Sequence, residues 1–147
     1  MDVKPKEVSL SFLTLNNDTI KRFSTSDKKN KLKAKKGNNL LVWDLKGEGA
    51  ERLDDMILWW ASTAAPKAVP GTYKVVLTVD DQVMSQTFKV LADPNSETDL
   101  AGMQRQFEFI TSVNTTVDKA HKRIKKIREI LYFSILKMED FIRQMGI

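Results

Sequence analysis

Apolar positions recur along this chain with two different periods, and the change falls near residue 94. Before it the period is two. In "EVSLSF" (7–12), Val8, Leu10 and Phe12 alternate with Glu7, Ser9 and Ser11, which predicts a half-buried strand. "NND" (16–18) is a turn signal, and "TIKRFS" (19–24) reads as a strand pairing back. "NLLVWDL" (39–45) reads as a third strand and "ILWW" (57–60) as a short fourth. The clearest hairpin is "VPGTYKVVLTVDDQVMSQTFKVLAD" (69–93), entered through Pro70-Gly71. Tyr73, Val75, Leu77 and Val79 share one face, and Lys74, Val76, Thr78 and Asp80 the other. Asp80-Asp81 stands at the tip, where a short turn needs residues that tolerate unusual backbone angles. The return strand places Met84, Phe88 and Val90 on one face. Short strands separated by turn signals predict an immunoglobulin-like β-sandwich over residues 1–94.

Beyond "ADPNSETD" (92–99) the period becomes helical. Pro94 closes the last strand, and Ser96 or Thr98 is placed to cap a helix. Met103, Ile110, Val117, Ile124, Leu131, Met138 and Met145 recur every seven residues. Phe107, Val113, Ala120, Ile127, Ile135 and Ile142 run beside them. This broad stripe suits a helix in a hairpin or bundle better than a two-stranded coiled-coil seam. No proline follows up to Gly146, and roughly 48 helical residues would extend roughly 72 Å. A small sandwich cannot cover that length, so part of the stripe is expected to meet another helix. "LYFSIL" (131–136) is apolar nearly all round and predicts a break in the helix or deep cover. The expected architecture is mainly β, a sandwich (1–94) followed by a long amphipathic helix or helical hairpin (95–147), with β and α segregated.

Composition narrows the function classes. Hydrophobic residues at 41% and charged residues at 29% of 147 fit a folded globular chain rather than a disordered one. The absence of cysteine removes disulfides, a thiolate nucleophile and Cys-based zinc sites. No apolar run reaches the length of a membrane span. The first twenty residues lack the apolar core of an export signal and look like a strand. The chain is therefore expected to be cytoplasmic, or an excised piece whose export signal lay upstream, with Met1-Asp2 an added start. The net charge of +5 is concentrated in Lys28, Lys29, Lys31, Lys33, Lys35 and Lys36 and in "HKRIKKIR" (121–128). Such clusters can bind phosphate backbones. No aromatic residue is interleaved with the lysines to stack a base, so a solvated loop and helix face are expected, and nucleic acid is not.

Candidate chemistry is sparse. The carboxylate pairs Asp54-Asp55, Asp80-Asp81 and Glu139-Asp140 fall in turns or on a polar helix face, not across a cleft as glycoside hydrolysis requires. "DLKGEGAERLDD" (44–55) matches a calcium loop only loosely. His121, the single histidine, has no second ligand at four-residue spacing. No catalytic residue, metal ligand or cofactor is assigned, and the chain is not expected to be an enzyme. Trp43, in "KKGNNLLVWDL" (35–45), is expected on an internal strand, filling the core between sheets. Trp59 and Trp60 are adjacent, so a regular strand cannot turn both into one core. One of them is expected on a surface, under a loop or against the helix. Trp59 or Trp60 could stack on a sugar ring; tryptophan fluorescence that shifts on adding glycan would support this, and a silent glycan panel with buried tryptophans would remove it.

Three stretches in order, "GNNLLVWDLKGEGAE", "APKAVPGTYKVVLTVDDQVMSQTFKVLADPN" and "DLAGMQRQFEFITSVNTTVDKAHKRIKKIREI", resemble the C-terminal region of bacterial BNR-repeat propeller proteins, the sialidase-like and sortilin-like group that often carries a glycosyl hydrolase label. The resemblance covers about residues 37–130. It implies a Gly-x-Asn-x-x-x-Trp-Asp-Leu strand, a Pro-Gly-Thr-Tyr hairpin and a long helical region placed after a propeller. The propeller's repeated blades and the helical stretch that usually follows are missing from this sequence, which implies a fragment of a larger exported protein. Any hydrolase activity would belong to the propeller, so no catalytic residue carries over. The resemblance implies an extracytoplasmic, non-catalytic accessory domain. Its partners would be the propeller and downstream helix of the parent protein, a second copy through the C-terminal helix, or a glycan. The stripe Met103, Ile110, Val117, Ile124, Leu131 and Met138 is expected to carry the association.

Overall fold

The structure, a computed structural model, describes residues 5–57, 59 and 61–145. Strands β1 (Val8–Leu13), β2 (Thr19–Ser24), β3 (Gly71–Val79) and β4 (Gln82–Val90) precede one helix, α1 (Leu100–Gln144). The strands form one sheet of order β2-β1-β3-β4, antiparallel at every pairing. The chain divides into two interleaved compact units. One takes the residues up to 48 and 65–110, and the other takes 49–64 and 111 onward.

Sheet register follows the alternation in the sequence. Leu10 lies opposite both Phe23 and Leu77, Phe12 opposite Val75, and Tyr73 opposite Phe88. Tyr73, Val75, Leu77, Met84 and Phe88 therefore share one face with Val8, Leu10 and Phe12. At one end of this face Phe12 is the hub. Trp43 stacks on it with ring centroids 4.3 Å apart, while Phe23 and Phe88 meet it edge-on at 6.3 and 6.1 Å. Tyr73 lies against Phe88, and its hydroxyl donates to the Val69 carbonyl at 2.5 Å. Elsewhere the face is thinly covered: Met84 remains 52% exposed.

Turns hold the sheet through side chains. Asp80, the first loop residue of the β3–β4 hairpin, takes a positive φ of 50°. Its carboxylate accepts from the Lys6 and Glu7 amides at 2.8 and 2.9 Å, which ties down the chain entering β1. Gly37 takes φ 92°. Beside it the Asn39 side chain accepts from the Lys35 amide and donates to the Lys35 and Gly37 carbonyls, closing the turn.

The segment expected to be a third strand, 39–45, has no ladder partner and is irregular. Its alternation is real, since Leu40 and Val42 point outward while Trp43 is half-buried on the sheet. With Leu40 and Val42 91% and 82% exposed, nothing packs on the second side of the segment to reward a full strand. "ILWW" is not a strand either at Ile57 and Trp59; its Leu58 and Trp60 lie outside the described residues. Among the described residues, the only pairing outside the four-stranded sheet is in isolated bridges, Ser24 with Lys31 and Lys46 with Lys67.

The helix is capped by Asp99, not by Ser96 or Thr98. Asp99 Oδ1 accepts from the Gly102 amide at 2.7 Å, and its carbonyl begins the helical ladder at Met103. Ser96 Oγ instead accepts from the Thr98 amide within the preceding turn. Leu131–Leu136 neither breaks the helix nor is covered: Tyr132 is 65% and Phe133 59% exposed. Without proline or glycine there, backbone bonding continues whatever the side chains meet.

Candidate interaction surface

Residues 49–64 form a strap over the helix from Thr111 onward, within one compact unit. The strap is closed on itself by the Ala50 amide donating to the Thr63 carbonyl at 2.8 Å. Gly49 lies so close to that carbonyl that a Cβ would collide with it. Ala50 and Leu53 are buried.

Polar groups spaced 4, 3 and 4 residues apart on α1 receive the strap: Asn114, Asp118, His121 and Lys125. Asn114 Nδ2 donates to the Ala64 carbonyl at 2.8 Å, and Asp118 Oδ1 accepts from the Glu51 amide at 3.0 Å. The buried His121 ring meets the Glu51 carbonyl through Nδ1, and Lys125 pairs with the Glu51 carboxylate. Lys122 braces Asp118 at 2.7 Å. From the sequence, His121 was weighed only as a metal ligand and this anchor line was not found. The visible signal was its polar heptad spacing, adjacent to the apolar one.

The charges respond to this pairing. The Lys125 ammonium lowers the Glu51 carboxyl, and Lys122 with the Glu51 amide lowers Asp118. The partners move oppositely: Asp118 raises Lys122, and Glu51 raises Lys125. Groups lowered in the fold stabilise it above their unfolded values and lose that contribution as pH falls through the lowered ones. The raised lysines contribute below their unfolded values and lose it as pH rises through the raised ones. Strap docking should therefore be strongest between roughly pH 5 and 10 and weaken below about pH 4. Amide exchange at Glu51, followed by NMR against pH, checks this; protection that stays flat down to about pH 2 would contradict it.

The strap leaves the neighbouring apolar line open. Of the predicted stripe, Met103, Ile110 and Val117 are half-buried, whereas Ile124, Leu131 and Met138 are 37%, 57% and 60% exposed. Ile127, Ile135, Phe141 and Ile142 are also exposed. From Lys126 to Gln144 every helical residue is exposed. No family model, curated protein or solved structure matches this chain.

The remaining candidates lie apart from this surface. Asp80 is engaged with the Lys6 and Glu7 amides, and Asp54-Asp55 forms an exposed turn, with Asp55 at a positive φ of 61°. Glu139 and Asp140 are exposed on the helix. Trp59 is 87% exposed in an irregular segment. Within the lysine-rich stretch Lys29 is paired with Glu48 at 3.4 Å, as is Lys21 of β2 at 3.1 Å. Among the described residues no cluster of three His, Asp or Glu side chains converges to hold a metal, and no helix is long and apolar enough to cross a membrane.

Proposed function

We propose that this chain is a non-catalytic interaction domain that associates through the C-terminal part of α1. The observation that carries the proposal is the open apolar line from Ile124 to Met145 on a helix that is continuous to Gln144. Contiguous exposed apolar surface of this extent marks an interaction site in a folded protein. The resemblance to the region after the propeller in BNR-repeat proteins supplies the context: an immunoglobulin-like accessory segment of a larger exported protein, spacing or dimerising it. Trp43 fits that context, because its ring closes the aromatic end of the sheet and is not offered to a ligand.

Ile124→Asp tests the proposal. It places a charge at the head of the apolar line, 37% exposed, beside the strap anchors. Association measured by light scattering should be lost, or the melting temperature should fall. A variant with the wild-type mass and the wild-type melting temperature would mean that this stripe is not the interaction face.

A carbohydrate-binding role is the second reading, favoured by the exposed Trp59 ring. It rests on that one side chain, since Trp60 lies outside the described residues.

A further inference from the structure

Resting on the interaction-domain proposal, we infer that the occupant of the open helical line is a second copy of this chain, lying antiparallel across residues 120–145. At 100° per residue, Ile124, Ile127, Leu131, Ile135, Met138, Ile142 and Met145 fall in one band, about a third of a turn from the strap-bearing line of Asn114, Asp118, His121 and Lys125. A second helix can therefore reach the band without displacing the strap. The eight exposed apolar side chains of this surface, Phe141 included, each about half-exposed, present roughly 100 Å² apiece, on the order of 800 Å² per copy, which is what a stable interface takes from each partner.

Charge distribution selects the direction. Residues 119–128 carry six basic side chains and no acidic one, whereas Glu139 and Asp140 lie one to two turns from the C-terminal end of α1. A parallel pair would set basic segment against basic segment, with Arg123 facing the second copy's Arg128. An antiparallel pair centred between Tyr132 and Phe133 brings Arg128 within a turn of the second copy's Glu139, twice by symmetry. The same register layers Ile124 on Phe141, Ile127 on Met138 and Leu131 on Ser134. Each of these three layers is then apolar on at least one side, and their only polar member is a hydroxyl already donating to the Ile130 carbonyl at 2.9 Å. Beyond them Ile142 falls beside the aliphatic stem of the second copy's Arg123 and Met145 beside its Ala120.

The chain has no cysteine, so single thiols report orientation directly. The full chain is made as Ile127→Cys and as Met138→Cys, and each is oxidised alone and in equal mixture. The inference expects the mixture to give a disulfide dimer between the two variants, with little from either alone. Self-linkage of Ile127→Cys alone would show a parallel pair and overturn it, as would a wild-type chain that stays monomeric in sedimentation at every concentration. A charge exchange gives a second readout: Glu139→Arg should weaken dimerisation at least about 10-fold, and Glu139→Arg with Arg128→Glu should recover most of it. Double variants no better than the single one would contradict the register. Parallel linkage or a folded monomer leaves the interaction-domain proposal standing with another occupant, whereas an unaffected Ile124→Asp chain removes that proposal itself.

Discussion

Phe12→Ala is expected to unfold the sheet unit near room temperature. Three ring contacts converge on this side chain, from Phe23, Trp43 and Phe88, and it is only 9% exposed. Among the described residues of the same unit the other buried apolar side chains are Val8 and the small Ala68. Truncating a buried Phe to Ala costs about 3–5 kcal/mol. A domain is typically stable by about 5–15 kcal/mol, and one with so thin a core belongs at the low end of that range. The loss should appear as collapse of the near-ultraviolet circular dichroism from the stacked Trp43 and a melting transition lowered by more than about 10 °C. Phe12→Leu, which keeps most of the buried volume, should retain the fold. A melting temperature for Phe12→Ala within a degree or two of wild type would show that the aromatic cluster is not the core.

Leu53→Asp should release the strap. Leu53 is 5% exposed, so an aspartate there would have to bury its carboxylate under the strap. A buried, unpaired carboxylate costs several kcal/mol, more than the surface-accessible bonds from Asn114, Asp118 and Lys125 are expected to offset. The prediction is rapid tryptic cleavage after Arg52 while the sheet transition is unchanged. Cleavage no faster than in wild type would mean that the hydrogen bonds, not Leu53, hold residues 49–64.

The strands that form were legible because two independent signals agreed. β1, β2 and the β3–β4 hairpin each combine alternation with a turn whose residues suit it, as Asn17 and Asp80 at positive φ show. Residues 39–45 carry the alternation without the pairing. Trp43 is drawn to the sheet by ring stacking, which a period-two pattern cannot distinguish from ladder bonding. The helix was legible from its stripe, but its start was not. Ser96, Thr98 and Asp99 are all competent caps, and the choice is made by where Asp93 and Ser96 close the preceding turn. At the candidate surface, the apolar line could be read at full length from the sequence. Which part of it is covered could not, because the cover for this unit comes from residues 49–64, which bond to the helix across 50 to 74 residues of chain. The anchors Asp118, His121 and Lys125 were hidden for the same reason, since each bonds to Glu51 across about seventy residues.

Hydrogen exchange of the full chain, at high concentration and at strong dilution, tests the central claim that two copies of the chain associate through the open helical line. Amides from Ile124 to Ile142 should be well protected at high concentration and lose protection on dilution, while Ala50 and Glu51 in the strap exchange alike in both. Protection in Ile124–Ile142 that is the same at both concentrations, whether high or absent, would contradict association through this face.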